Sequence, residues 1–314
     1  MTVLIGNNAS GKSNVLEVIS AIFSRIYNDK LKELPFKFDL VYTINSLDIR
    51  VSKNQEIEYK IKKPEDKSWH NLEKLYSLGS RLPAEFPFTL GESYDYRPSQ
   101  IIALYSGEEL RLWEEYYKKP YFDFNKTPLK NDTYVSKLNM LYVNKYYWDV
   151  ALLTMYASDV KGLEKIVKSE LKTITIQINK KLLSNFIKSK PNNEVNKFVS
   201  SFITPESEGD GVENIQSLNL SLDEVKDKID FKTHTELFNL LCVAKLSKDK
   251  KLKLITDLEL EFENGITTKD FSEGQKKQIL LKLCLEVLSG ENSLLLFDEP
   301  DAHIHIQKNS SPTY

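Results

Sequence analysis

The strongest constraint lies near the amino terminus, where Gly6-Asn7-Asn8-Ala9-Ser10-Gly11-Lys12-Ser13 fits G-x-x-x-x-G-K-[ST] without a gap. A loop of this kind turns its backbone N–H groups toward phosphate oxygens, and each residue type in it has a physical reason. Gly6 and Gly11 permit the tight turn, Lys12 brings a compact positive charge to the β- and γ-phosphates, and the Ser13 hydroxyl is an oxygen ligand for Mg²⁺. The flanks agree with this reading. Val3-Leu4-Ile5 is an apolar run suited to a buried strand, and Val15, Ile19, Ile22, Phe23 and Ile26 recur at helical spacing after the loop. Strand, loop and helix in that order set a phosphate against a helix N-terminus.

A second signal stands near the other end. Leu294-Leu295-Leu296-Phe297 is a continuous apolar run of the kind found in central parallel strands, and Asp298-Glu299-Pro300 follows it at once. Four apolar residues and then two acids make the pattern called Walker B. The strand delivers Asp298 to the Mg²⁺ of a nucleotide beyond the carboxyl ends of the sheet, and Glu299 is placed to act as general base on a water in line with the γ-phosphate. Taken alone, an acidic pair before proline is equally a simple turn. Paired with the phosphate loop it becomes specific, and it makes a spatial demand: Lys12 and Asp298 must act on one magnesium-bound triphosphate. Just upstream, Ser272-Glu273-Gly274-Gln275 opens a helix expected to run to Leu288. Ser272 and Gln275 form a capping box that would serve any helix.

The remainder of the chain is ordinary in bulk and uneven in detail. Its 314 residues are 41% hydrophobic and 28% charged, which excludes a disordered chain. A net charge of −2 argues against coating nucleic acid by bulk electrostatics, although a local basic patch remains open. No apolar run reaches the ~18 residues that span a bilayer. Leu141 to Ala157 is the richest stretch, and it is expected to be a buried helix. No secretory leader precedes the loop, so no membrane association and a cytoplasmic location are expected. Cys242 and Cys284 sit in apolar surroundings as buried small hydrophobes. Phe36–Ile44, Leu47–Ser52 and Glu56–Lys62 alternate like an antiparallel meander. Ile101–Tyr105 predicts a strand, after which Ser106 and Glu109 cap a helix through Trp113 and Tyr116. Helices are expected over Tyr134–Ala157, Gly162–Leu171, Leu222–Ile229 and Thr233–Leu246, and strands over Thr173–Ile178 and Leu252–Phe262. Lys161, Lys165, Lys168, Lys172, Lys180 and Lys181 either line a polyanion path or form a solvated face.

At this point the chain resembles a known group. The order G-N-N-A-S-G-K-S-N, F-S-E-G-Q and L-L-L-F-D-E-P-D-A-H-I-H is similar to the ATP-binding-cassette-type heads of the SMC, RecF and OLD group of ATPases. Within it the chain looks most like stand-alone bacterial ATPases of anti-phage defence, such as the ATPase component of PARIS-type systems, with Ile101 to Trp113 adding to the likeness. The resemblance implies an α/β P-loop NTPase head with a mainly parallel central sheet, an antiparallel meander and a largely helical insertion. Its expected divisions are 1–120 with the phosphate loop and meander, 121–252 as the insertion, and 253–314 with the signature helix and Walker B strand.

The resemblance also implies roles. ATP and Mg²⁺ are the cofactors, and Gly6 to Asn14 bind ATP. Ser13 and Asp298 hold the metal, with Gln100 as a further metal- and water-sensing candidate, and Glu299 is catalytic. Ser272, Glu273, Gly274 and Gln275 would contact ATP bound to a second copy, so two heads would sandwich two nucleotides. Asp301, His303 and His305 would line that seam. Partners implied are a second copy in a homodimer or larger oligomer and an effector such as a nuclease. Such heads carry a strand pair before the loop and a switch histidine on a strand after Walker B. Neither is found between Met1 and Tyr314, so a shortened head with weakened hydrolysis is expected. A nucleotide-binding scaffold with little turnover, or a RecF-like DNA-repair ATPase, are the alternatives. A guanine-reading N-K-x-D is ruled out because Asn144-Lys145 is followed by Tyr146-Tyr147.

Overall fold

In the computed structural model the structure describes residues 11–28, 33–77, 94–105, 111–131, 138–203, 214–247 and 252–298. The chain divides into two compact units, one of residues 1–101 with 290–294 and the other of 102–289 with 295–314.

The first unit is built from helix α1 (Lys12–Tyr27) and an antiparallel meander of β1 (Phe38–Ile44), β2 (Leu47–Lys53), β3 (Ile57–Lys62) and β4 (His70–Leu72). A two-residue turn joins β1 to β2, with Ile44 opposite Leu47 and positive φ at both Asn45 and Ser46. This is the hairpin geometry whose twist matches the flanking strands. Strict alternation on β2 sends Leu47, Ile49 and Val51 into the core, as its sequence predicts. From the helix come Ala21, Ile22, Phe23 and Ile26, and Phe23 meets Tyr42 edge-on at 5.7 Å between ring centroids. Val15 differs from the expected pattern. It stands 43% exposed, because the helix buries only its carboxyl-terminal half. The Tyr27 hydroxyl donates to the Pro98 carbonyl, and the Arg97 guanidinium lies over the rings of Tyr27 and Tyr76 while gripping both oxygens of Asp95.

The second unit centres on β9 (Leu171–Asn179), which pairs antiparallel with β10 (Ile215–Leu220) on one side and β11 (Ile255–Phe262) on the other. Its inward residues Ile174, Ile176 and Ile178 are fully buried. Two helices, α3 (Trp148–Ala157) and α8 (His234–Lys245), are buried nearly all round. Such helices lack a polar face because both sides are packed. Asp149 and Lys245 meet there at 2.5 Å. Between them in the chain lie α4 (Glu164–Val167), α5 (Lys180–Ser189), α6 (Glu194–Ser200) and α7 (Leu222–Lys228).

A third sheet is ordered β12 (Ser293–Phe297), β7 (Gln100–Leu104), β8 (Met140–Val143). The Ser99 N–H donates to the Asn292 carbonyl and the Asp298 N–H to the Leu104 carbonyl, so chain number rises in the same sense on both strands and β7 and β12 run parallel. Among the described residues β12 is the end strand, and only Leu296 of it is buried. The expectation of a fully buried central strand is corrected to that extent.

Two helical expectations also change. Tyr134–Ala157 does not hold one helix: Met140–Val143 is strand β8, the Asn144 side chain accepts from the Tyr146 N–H to start a 3₁₀ turn, and only then does α3 begin. A short apolar run bounded by asparagine fits a buried strand as well as a helix, and pairing decided it. Gly162–Leu171 yields only the single turn of α4, because Gly162 and Lys168 take positive φ on either side of it. Among the described residues no helix is long and apolar enough to cross a membrane.

Candidate nucleotide-binding site

In the first unit the described part of the phosphate loop begins at Gly11, the N-cap of α1, with φ 85° and ψ 12°. This left-handed conformation suits glycine, and any added side chain would be strained there. The Val15 N–H closes the first helical bond onto the Gly11 carbonyl at 3.2 Å. No acidic side chain lies in the first turn, so the N–H groups and the positive end of the helix dipole are not offset by a carboxylate from that turn. Lys12 is the first helical residue, Ser13 is half-buried and Asn14 exposed. Gly6 to Ser10, and the expected strand Val3 to Ile5, lie outside the described residues.

In the second unit Asp298 directly follows β12 and is 8% exposed, its N–H held by the Leu104 carbonyl at 3.0 Å. Tyr142 of β8 is buried too. Burial, then the nearby Tyr105 and the Asp298 carboxylate, push its hydroxyl up to about 12. That residue was not distinguishable in the sequence, where it is one letter of an apolar run. Glu299, Asp301, His303 and His305 lie outside the described residues, as do Ser106 and Glu109.

Gln100 is the first residue of β7 and 1% exposed, and Leu104, whose carbonyl accepts from the Asp298 N–H, is the last.

The signature segment is fully placed within the second unit. Ser272 caps α9 (Glu273–Leu283), its hydroxyl accepting from the Gln275 N–H at 3.2 Å, while the Gln275 side-chain oxygen accepts from the Ser272 N–H at 3.0 Å. The Gln275 amide nitrogen donates onward to the Ile166 carbonyl at 3.2 Å, and Glu273 pairs with Lys276 at 3.2 Å. Behind the cap, Phe271 stacks on Phe262 at 5.5 Å. The capping box fixes the end of the helix and leaves Ser272 and Glu273 facing solvent. A π-helical turn, Cys284–Leu288, completes the helix, and burial pushes the Cys284 thiol up to about 12. The lysine series forms no single track: Lys172 pairs with Glu261 at 2.7 Å, while Lys180 and Lys181 begin α5 beyond the other end of β9.

A family model described as an AAA ATPase domain matches residues 1–311. The chain belongs to the AAA ATPase domain family. With membership come a P-loop α/β fold, ATP binding and ATPase chemistry within the ABC/SMC-like superfamily of P-loop ATPases. No curated protein matches this AAA ATPase domain, and no solved structure does. Asp298 of the second unit is a buried carboxylate and Ser13 of the first carries a hydroxyl, each by itself an oxygen donor of the type a hard divalent ion takes.

Proposed function

We propose that this AAA ATPase domain hydrolyses ATP and uses ATP to pair with a second copy, and that the pairing controls an effector such as a nuclease in anti-phage defence. The observation that carries the reading is the amino end of α9: Ser272 and Glu273 are presented to solvent on a preformed cap, where a phosphate of another copy can reach them. The defence setting rests on the motif order and the likeness to PARIS-type ATPases alone.

In this reading the loop from Gly6 to Asn14 binds the triphosphate, with Lys12 against the β- and γ-phosphates. Ser13 and Asp298 would hold Mg²⁺, which supplies charge neutralisation on the phosphate oxygens when bound. Glu299 takes the proton of the attacking water as its oxygen bonds to the γ-phosphorus and the bond to the β–γ bridging oxygen breaks. Ser272 to Gln275 complete the site of the other copy.

The test combines turnover with sedimentation velocity. Parent protein is expected to hydrolyse ATP. Glu299→Gln is expected to lose turnover and keep ATP-dependent dimers, and Ser272→Arg to bind ATP yet stay monomeric. ATP-dependent dimers without turnover in the parent would favour an assembly scaffold. Salt-sensitive DNA binding stimulated by ATP would favour a repair role. Monomers throughout, with Ser272→Arg behaving as the parent, would overturn the proposal.

A further inference from the structure

The sheet ordered β10, β9, β11 in the second unit ends on two unlike edges. Beside β11 the chain folds back on the strand: Glu261 forms a bridge with Thr267, the Phe262 N–H donates to the Ile266 carbonyl at 2.9 Å, and the Leu260 N–H donates to the Thr268 hydroxyl at 3.1 Å. The strand also shifts register at Ile255–Asp257 and at Glu261–Phe262, and it carries Asp257 and Glu259, both paired with Lys269. Bulges, charges and a covering turn are the usual guards of a sheet edge. Among the described residues β10 has none of them. Its pairing with β9 runs without a shift, and Ile215-Gln216-Ser217-Leu218-Asn219-Leu220 holds no charge, proline or glycine. Two bonds fix the phase of the ladder. The Lys180 N–H donates to the Asn214 carbonyl at 2.9 Å, so Asn214, Gln216, Leu218 and Leu220 turn their backbone groups toward β9, whereas the Asn179 N–H donates to the Leu254 carbonyl beside β11. The N–H and C=O groups of Ile215, Ser217 and Asn219 therefore point away from β9, and all three residues are exposed, Ile215 at 45%.

We propose that β10 is a self-association edge, pairing antiparallel with β10 of a second copy about a two-fold axis at Ser217. An open ladder takes an extended strand through main-chain bonds, and what singles out a second copy is charge. In a two-fold antiparallel pair each side chain meets residues of its own strand, where any charge would lie against its like, and this strand is uncharged from Ile215 to Leu220. The register follows from the phase. Only with Ser217 opposite Ser217 do all the outward residues find partners, Ile215 lying against Asn219 on either side of the axis and each pair exchanging both of its bonds. A strand of this length buries far less than the ~800 Å² per partner of a stable interface, so the contact is weak between single copies. It gains by avidity where one particle presents two edges, as copies already paired by ATP would. The edge stands by itself; growth beyond a dimer rests on the ATP-pairing reading, since a chain with two self-complementary surfaces continues to assemble.

Cysteine substitution reads the edge in the full chain, where the native Cys242 and Cys284 are both buried. Ser217→Cys, oxidised with copper–phenanthroline in the absence of nucleotide, is expected to form disulfide-linked dimers. Asn219→Cys alone is expected to stay unlinked, and to link when mixed with Ile215→Cys. No link through Ser217→Cys, or equal linking of Asn219→Cys with itself, overturns the proposal. Sedimentation velocity then follows Glu299→Gln with Mg²⁺–ATP at rising concentration. Dimers are expected to pass into larger species, and Ser217→Pro in the same background to stop at dimers with an unchanged melting temperature, because the Ser217 N–H gives no bond to β9. Growth that persists in Ser217→Pro overturns the role of β10. ATP-dependent dimers with no Ser217→Cys link remove the edge and leave ATP pairing standing, whereas Ser217→Cys links without ATP-dependent dimers keep the edge and remove ATP pairing. Should Ser217→Pro not fold, Ser217→Lys sets like charges across the axis; loss of growth then supports the proposal and unchanged growth overturns it.

Discussion

Gly11 shows how one residue can bind the fold and the site together. Its φ of 85° costs an L-residue ~1–2 kcal/mol, and the same backbone turn sets up the amino end of α1. Gly11→Ala is expected to lower stability by about that amount in urea titration and to weaken ATP binding measured by calorimetry. Loss of neither would contradict the phosphate-loop reading. In the second unit the Asp149–Lys245 pair is the counterpart for stability alone, a salt bridge of 2.5 Å with both side chains about nine-tenths buried. Lys245→Ala strands a buried carboxylate and is expected to cost ~3–5 kcal/mol, whereas Asp149→Leu with Lys245→Met should recover most of that loss. Equal instability of the two would show that packing, not charge, is at issue. Cys284 gives a pH signature. Its thiol ionises near 9.0 when unperturbed and near 12 in the fold. The unfolded chain therefore loses this proton first as pH rises, so the stabilisation is whole below about pH 9 and declines above it by ~1.4 kcal/mol per pH unit. Thermal melts from pH 8 to 10.5 should fall, and less steeply in Cys284→Ala.

At the scale of elements, α9 was the most legible. Ser272 and Gln275 are spaced as a capping box, and both halves of the box form. Ser272→Ala should lower stability by ~1 kcal/mol through the cap, a loss that chemical denaturation can read apart from any effect on ATP-dependent association. The meander was equally legible, because β2 alternates strictly and Asn45-Ser46 leaves two residues for a turn. What could not be read were elements whose type is settled by neighbours rather than by period. Met140 to Val143 is apolar at every position and became a strand through pairing in the sheet. The turn α4 stops at Lys168, whose left-handed backbone nothing in its letter foretells.

For the whole molecule, the family match over residues 1–311 gives the class of chemistry, and the proposed function requires that Lys12 and Asp298 act on the same magnesium-bound triphosphate. The measurement that tests it most directly is a thermodynamic cycle of Mg²⁺–ATP binding for the parent, Lys12→Ala, Asp298→Asn and the double variant. If both residues serve one nucleotide, each single change removes most of the binding and the double loses less than the two losses combined, a coupling of at least ~1 kcal/mol. Losses that add to within ~0.5 kcal/mol, or an Asp298→Asn variant that binds as the parent does, would contradict the account.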